Sequence, residues 1–364
     1  MSGPMHRGEA RDDVTGSGGT THGHGLDEDL GLPDGILHDM RMRGPAPASA
    51  EHPAPQVREH FMPPVSLSKP EGTPLRGEPA HVGRRPPSYP PHPLRCPSVR
   101  DGDEFAAFTP AVLLDGAQVG RLAVRATSVR GDSHNWEGTC RQDAMVVSRI
   151  GPPEAEFLLL AIADGVGSAK RSHTGSHLVI RQTALRLDQE AESIHAALTA
   201  QEEGRLCGIA NKAVARAVSD LRIGQEHATT LHVLLVPTDT RIRGRVLFSV
   251  GDGGLFVLRE GRWEQDNPVG DGSLLDTRTE ALPHAYSTVK AHLLRTEPGE
   301  VLLLGTDGIT NPLTQKDPEF AQRLANMWGR PEVPSLSDFL WQAQTRAKSY
   351  DDDRTVICVW ERSE

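Results

Sequence analysis

The chain has 364 residues and a formal net charge of −10 at pH 7. A nucleic-acid-binding surface needs clustered Lys and Arg, so we do not expect this acidic chain to bind DNA or RNA. The four cysteines are widely spaced and form no C-x-x-C pair, which excludes a cysteine zinc site and is typical of a cytoplasmic protein. No apolar run reaches ~18 residues, so we expect no membrane span.

Residues 1–110 differ in composition from the rest of the chain. They hold more than half of the 28 prolines and half of the 16 histidines, with few periodic apolar positions. Such a segment cannot bury enough apolar surface to offset the entropy lost on ordering, so we expect a disordered N-terminal tail. It is either a passive tether or a docking arm that carries motifs for partner proteins.

Folded chain is expected over residues 111–364. Apolar residues alternate at 122–126, which predicts a half-buried strand, and the apolar run at 156–163 predicts a strand buried on both faces. Helical spacing of apolar residues predicts a helix that ends near residue 200. Further strands are predicted at 229–236, 245–250, 254–258, 285–294, 300–304 and 355–360, and further helices at 206–221, 318–328 and 335–348.

The order of these elements predicts the fold class. Runs of strands separated by pairs of helices indicate an α+β domain with sheets in the middle and helices outside. A doubly wound parallel sheet would need regular alternation of strands and helices, which is absent. The stretch 264–283 has no clear period and is expected to be a long loop or flap.

Four acidic positions lie beside predicted strands: Asp143, Asp164, Asp307 and the run 351–353. Asp164 and Asp307 each end an apolar run and precede a glycine. One such Asp is more often a turn residue than a ligand, but four in the same context suggest carboxylates that converge. Converging carboxylates repel one another unless a cation lies between them, and oxygen-only ligands suit Mg²⁺ or Mn²⁺.

Six short motifs in order resemble those of the metal-dependent type 2C (PPM) protein serine/threonine phosphatases, particularly the bacterial forms. The resemblance extends from about residue 120 to 362. The motifs are Arg141-Gln142-Asp143-Ala144, Ala163-Asp164-Gly165-Val166-Gly167, Ala228-Thr229-Thr230-Leu231, Gly251-Asp252, Thr306-Asp307-Gly308-Ile309 and Asp352-Asp353-Arg354-Thr355-Val356.

The resemblance implies a four-layer α-β-β-α sandwich with two central, mainly antiparallel sheets and two Mn²⁺ or Mg²⁺ ions. It implies that Asp164 bridges both ions, that the Gly165 carbonyl and Asp143 serve one, and that Asp307 and Asp352 hold the other. Asp352 is preferred to Asp353 because the family's last Asp lies three residues before the Ser or Thr that opens the closing strand. The run of three Asp leaves that register open by one residue.

The reaction implied is hydrolysis of phosphoserine or phosphothreonine by a water that bridges the two ions. The partners implied are phosphorylated proteins, substrates of a bacterial Ser/Thr kinase. The family's phosphate-binding Arg has no counterpart here, because Gly138 falls near its position. Arg130 and Arg141 are candidate substitutes, and His134 is a candidate proton donor. The missing Arg leaves an alternative, a catalytically impaired module that binds phosphoproteins or partners.

His173 and His177 are four residues apart at a predicted helix start, a spacing that would let both contact one ion. The sequence offers no third ligand beside them. We therefore interpret the pair as a solvated helix entry.

Overall fold

The computed structural model describes residues 79–91, 95–239, 241–266, 280–315, 318–348 and 350–362. All statements on elements and contacts refer to these residues. Most of the expected tail, residues 1–78, and most of the expected flap, residues 267–279, lie outside them.

The strands are β1 (His81–Val82), β2 (Val112–Val119), β3 (Leu122–Val129), β4 (Ala144–Ile150), β5 (Phe157–Ala163), β6 (Leu231–Pro237), β7 (Gly244–Val250), β8 (Gly254–Arg259), β9 (Arg262–Gln265), β10 (Lys290–Arg295), β11 (Val301–Gly305), β12 (Arg346–Ala347) and β13 (Arg354–Glu361). The α-helices are α1 (Glu104–Phe108), α2 (Asp132–Glu137), α3 (Ser172–Asp188), α4 (Ala191–Thr199), α5 (Glu203–Leu221), α6 (Asp307–Leu313), α7 (Glu319–Trp328) and α8 (Leu336–Ala343).

Two antiparallel sheets form the centre of the fold. One has the strand order β10-β7-β6-β5-β4 and the other the order β2-β3-β13-β11-β8-β9. A separate parallel pair joins β1 to β12. The register of β4 with β5 pairs Ala144 with Ala163, so the next residues, Asp143 and Asp164, leave the same end of the first sheet together.

Three apolar layers show that the sheets are stacked and flanked by helices. Alternate residues of β5 face in opposite directions: Phe157 and Leu159 pack with α3, α4 and α5, whereas Leu158 and Leu160 pack against the second sheet. The opposite face of the second sheet packs against α6, α7 and α8. The predicted α-β-β-α sandwich is confirmed, and β5 reads as a continuous apolar run because both of its faces are buried.

Several predicted boundaries differ from the structure. The helix predicted to end near residue 200 is two helices, α3 and α4, and the strand predicted at 285–294 begins only at Lys290. The strand at 122–126 is β3, almost fully buried rather than half-buried, because it lies inside a six-stranded sheet. The amphipathic pattern identified the elements but could not show which strands become central.

Part of the segment expected to be tail contacts the sandwich. The amide of Arg346 donates to the Ala80 carbonyl, and the amide of Lys348 donates to the Val82 carbonyl. Asp103, which caps α1, pairs with His173 of α3 at 2.9 Å. The expected tail boundary at residue 110 therefore lies inside chain that the structure describes as part of the fold.

None of the described helices is long and apolar enough to cross a membrane.

Candidate active site

The ends of β4, β5, β11 and β13 bring the predicted acidic residues to one end of the sandwich. Asp143 precedes β4, Asp164 follows β5, Asp307 begins α6 directly after β11, and Asp352 lies just before β13. Each carboxylate is thus attached to a buried, hydrogen-bonded strand, which limits its movement. The convergence inferred from the sequence is supported by the electrostatics, because these carboxyl groups act on one another's pKa values.

Asp143 is fully buried, and its two carboxylate oxygens differ in their hydrogen bonds. Its Oδ2 accepts hydrogen bonds from the hydroxyls of Thr306, at 2.8 Å, and Thr355, at 2.6 Å. Its Oδ1 has no partner among the described residues. Burial, and then the charge of Asp353, raise the pKa of Asp143 well above its usual value. A buried carboxylate oxygen without a donor is costly, and a bound cation would satisfy it.

Asp164 is held by its backbone. Its amide donates to the Thr230 hydroxyl at 2.9 Å, and its carbonyl accepts from the Thr230 amide and the Thr229 hydroxyl, both at 2.8 Å. The next residue must be glycine, because a Cβ on Gly165 would lie 2.8 Å from two atoms of Ser172. Burial first, and then the charges of Asp143 and Asp307, raise the pKa of Asp164 well above its usual value.

Asp307 is the first residue of α6. Its Oδ2 accepts from the Asn311 amide at 3.3 Å, and its Oδ1 is buried without a partner among the described residues. Burial and then the charge of Asp352 raise its pKa to about 6. The following Gly308 packs so closely on the Asp353 carbonyl that no side chain would fit there.

Asp352 and Asp353 have different environments. Asp353 is buried, and its two oxygens accept from the amides of Gly131, Gln142 and Asp143 and from the ring of His134. The Asp352 side chain is 57% exposed, and its Oδ1 accepts from the Asp353 amide at 2.8 Å. Asp353 has no lone pair left for a ligand, whereas Asp352 does.

The donor set suits a divalent cation. Asp143, Asp164, Asp307 and Asp352 offer only oxygen, which is what Mg²⁺ and Mn²⁺ prefer. Burial first, and then the charges of neighbouring carboxylates, raise the pKa values of these four groups, so the negative charges are costly to hold together without a cation. Asp143 and Asp307 each have a buried oxygen that no other described residue contacts, which points to the same need. The residues present fit the expected metals.

His134, Asp352 and Asp353 also lie close enough for one atom from each to contact one ion. We interpret this group as an ion-pair cluster. Burial alone would lower the pKa of His134, but the hydrogen bond to Asp353 and its charge outweigh burial and raise it to about 9. The protonated ring has no lone pair for a metal. His134 Nε2 lies 4.0 Å from Asp352 Oδ1, so it places a positive charge beside the carboxylates.

Neither candidate arginine is exposed to a substrate phosphate. Arg130 is buried, and its guanidinium donates to Asn135 Oδ1 at 2.6 Å and to the carbonyls of Thr139 and Arg95. Arg141 is fully buried, and it donates to the carbonyls of Pro110 and Asp143 and to Ser128 Oγ. Both candidates must be corrected, because these buried guanidinium groups bind backbone carbonyls and side chains of the fold itself. Of the three predicted residues, only His134 reaches the carboxylates.

The solvated helix entry expected at His173 and His177 is also wrong. His173 is 5% exposed and pairs with Asp103, and Phe105 packs its ring edge-on to His177 at 5.3 Å. Sequence reasoning could not find this, because the covering residues precede the expected boundary of the domain.

Sequence reasoning also missed the hydroxyls that orient the carboxylates. Thr306 and Thr355 bind Asp143, and Thr230 binds the Asp164 amide. Their positions in the sequence could have identified them. Thr306 and Thr355 each lie within three residues of a predicted ligand, and Thr230 lies in one of the six motifs.

The family model described as Protein phosphatase 2C matches residues 130–342, which is more than half of the chain. No curated protein matches. Similar solved structures include a serine/threonine phosphatase of S. agalactiae, with a TM-score of 0.46, 14% identity, and coverage of 66% of this chain and 99% of that one. A bacterial serine phosphatase matches with a TM-score of 0.45, 17% identity, and coverage of 70% and 98%.

The catalytic domain of the serine/threonine protein phosphatase PstP, solved with two manganese ions, matches with a TM-score of 0.41 and 19% identity. That match covers 69% of this chain and all of the other. These scores and identities are too low to carry an argument about function. The family match over residues 130–342 does carry one, and it agrees with the sandwich and with the carboxylates at its end. The chain belongs to the protein phosphatase 2C family.

Proposed function

We propose that the chain is a metal-dependent phosphatase that hydrolyses phosphoserine and phosphothreonine in proteins. The observation that carries the proposal is the carboxylate cluster at one end of both sheets, in which Asp143 and Asp307 each keep a buried oxygen without a partner among the described residues. Its substrates would be proteins phosphorylated by a bacterial Ser/Thr kinase, and its location the cytoplasm.

The cofactors we propose are two Mn²⁺ or Mg²⁺ ions. Asp164 and the carbonyl of Gly165, together with Asp143, Asp307 and Asp352, are the groups that would hold them. When bound, the ions neutralise the carboxylates, attract the phosphate and make water a better nucleophile toward phosphorus.

The residues of the chain position the reactants. Two hydroxyl donors fix the orientation of the Asp143 carboxylate, so its second oxygen is held at one position in the site. Asp353 keeps His134 protonated and aligned through Nδ1. We assign to Nε2–H of His134 a hydrogen bond to the substrate, with the proton passing to the serine or threonine oxygen as its bond to phosphorus breaks.

The alternative is an impaired module that binds phosphoproteins without hydrolysing them. The burial of both candidate arginines, Arg130 and Arg141, favours that alternative. Retention of the four acidic positions and the positive charge of His134 favours the active enzyme. An impaired module would bind a phosphopeptide and release no phosphate.

The deciding experiment measures hydrolysis of p-nitrophenyl phosphate and of a phosphothreonine peptide, in EDTA and after addition of Mn²⁺. We expect turnover only with the metal, and loss of that turnover in Asp164→Ala. The control is Asp239→Asn in an exposed turn, which should behave as the wild type. A wild type without metal-stimulated turnover, or an unaffected Asp164→Ala variant, would contradict the proposal.

A further inference from the structure

A small cavity lies between residues 79–91, which precede the sandwich, and the start of α2. Its volume is about 80 Å³. A buried water needs roughly 10–15 Å³ of such space, so the cavity has room for more than one water or for one compact ion. Pro79 and Pro91 line one side, and Asp132 and Asn135 of α2 line another.

The cavity wall carries an excess of positive charge. Arg130, Arg346 and Arg354 all line it, and each is only 5% exposed. Among the described residues that line it, the one carboxylate is Asp132, also 5% exposed. Three guanidinium groups against one carboxylate leave a formal excess of two positive charges. Buried charges are costly unless an opposite charge accompanies them.

The three arginines are not equally satisfied. Arg130 has the three acceptors described above, and Arg346 Nε donates to Asp132 Oδ2 at 2.7 Å. Arg354 reaches Asp132 Oδ1 only at 3.6 Å, and its Nε and Nη1 are buried without a partner in the described chain. Asp353, its neighbour in sequence, offers these N–H groups no free acceptor, because its oxygens already accept from four donors.

We propose that this cavity binds a small tetrahedral oxyanion, of the size of phosphate or sulfate, through Arg354 and Arg346. Guanidinium groups present planar pairs of donors that match the oxygens of such an anion. The anion would supply the negative charge that the wall lacks. It would also join α2, which carries His134, to the start of β13, which follows Asp352. The site is separate from the carboxylate cluster, and the proposal does not depend on the proposed catalytic activity.

The test is thermal unfolding of the metal-free full-length protein in EDTA, with increasing inorganic phosphate at constant ionic strength adjusted with KCl. EDTA removes the divalent cations that would hold phosphate among the carboxylates. A ligand that binds only the folded state raises the melting temperature, so we expect a rise of several degrees that continues with the logarithm of the phosphate concentration. Sulfate is the second arm, and competition between the two in calorimetry shows whether they share the site. A phosphate curve no different from KCl would overturn the proposal.

Variants locate the effect. Arg354→Met should abolish the phosphate-dependent shift, and Arg354→Lys, which keeps one charge but loses the planar donor pair, should reduce it. Arg245→Met is the matched control, because Arg245 is equally buried beside Glu361 on another part of the fold and should lose stability while keeping the shift. His134→Asn should also keep it. A shift that survives in Arg354→Met, or disappears in His134→Asn, would show that phosphate binds elsewhere.

Discussion

The hydroxyl of Thr355 donates a 2.6 Å hydrogen bond to Oδ2 of the buried Asp143. The neighbours of Thr355 explain why its hydroxyl donates to Asp143. Arg141 Nη1 donates to Ser128 Oγ, and Ser128 Oγ lies 2.6 Å from Thr355 Oγ1. Ser128 accepts a hydrogen bond from Arg141 and can therefore donate its own hydroxyl hydrogen to Thr355 Oγ1. Thr355 in turn donates its hydroxyl hydrogen to Asp143. Arg141, predicted as a substrate-binding residue, therefore orients the Asp143 carboxylate through Ser128 and Thr355.

Replacement of Thr355 by Val should weaken metal binding. Loss of a hydrogen-bond partner of a metal ligand typically costs 10-fold or more in affinity, so we expect a Kd for Mn²⁺ raised roughly 10-fold in calorimetry. Thr127→Val is the matched control, since Thr127 is equally buried on β3 but donates to the Leu113 carbonyl instead. Equal Mn²⁺ affinity in Thr355→Val and wild type would contradict the role assigned to this hydroxyl.

Asp352→Asn should change metal affinity, whereas Asp353→Asn should change folding stability. Asp353→Asn replaces an acceptor of four hydrogen bonds by an amide that can accept only at one oxygen, so we expect unfolding in EDTA to become easier by about 3 kcal/mol or more. Asp352→Asn should leave that free energy nearly unchanged and lower Mn²⁺ affinity. Denaturant unfolding and calorimetry measure the two effects, and the opposite pattern would show that Asp353 is the ligand.

His134→Asn tests the proposed proton donor. An Asn side chain at this position keeps a donor toward Asp353 but has nothing to replace Nε2, so kcat/KM for a phosphothreonine peptide should fall about 100-fold. Arg130→Met, which removes a structural guanidinium, should lower the melting temperature while kcat per folded molecule stays near the wild-type value. A larger loss of kcat in Arg130→Met than in His134→Asn would reverse the assignment.

His177 should make folding stability depend on pH. Burial, and then the charges of Arg141 and His173, lower its pKa from 6.5 to about 4. Below pH 6.5 the unfolded chain therefore binds a proton at His177 that the folded chain does not bind. The free energy of unfolding falls as the pH drops toward 4. The expected loss between pH 7 and pH 5 is about 2 kcal/mol.

The measurement for His177 is denaturant unfolding at pH 7 and pH 5, in EDTA. His177→Gln should lose about 2 kcal/mol less than the wild type over this interval, because Gln does not titrate. Thr183→Val, a change at a buried position on the same helix, should shift stability equally at both pH values. An unchanged pH dependence in His177→Gln would show that the pKa of this histidine is not lowered in the folded state.

The positions of the main strands and of the acidic residues followed from local pattern alone. The apolar run at 156–163 and its Asp-Gly exit are properties of neighbouring residues, so β5 and Asp164 could be identified without knowledge of the rest of the chain. The same holds for β11 and Asp307. Both faces of these strands are buried, which makes the run continuous and the signal strong.

Only the tertiary structure decided how the polar groups are paired. Asp352 and Asp353 are identical in type and adjacent in sequence, and they separate because four donors from distant residues surround one of them. Arg130 and Arg141 were candidates for phosphate binding, and only their burial and their acceptors show that they do not face a substrate. Residues 79–91 and 95–110 carry no periodic apolar signal, since they contact the sandwich mainly through backbone hydrogen bonds and a few side chains. Hydrogen-bond partners far apart in the chain leave no local pattern, so pairing is determined by the fold.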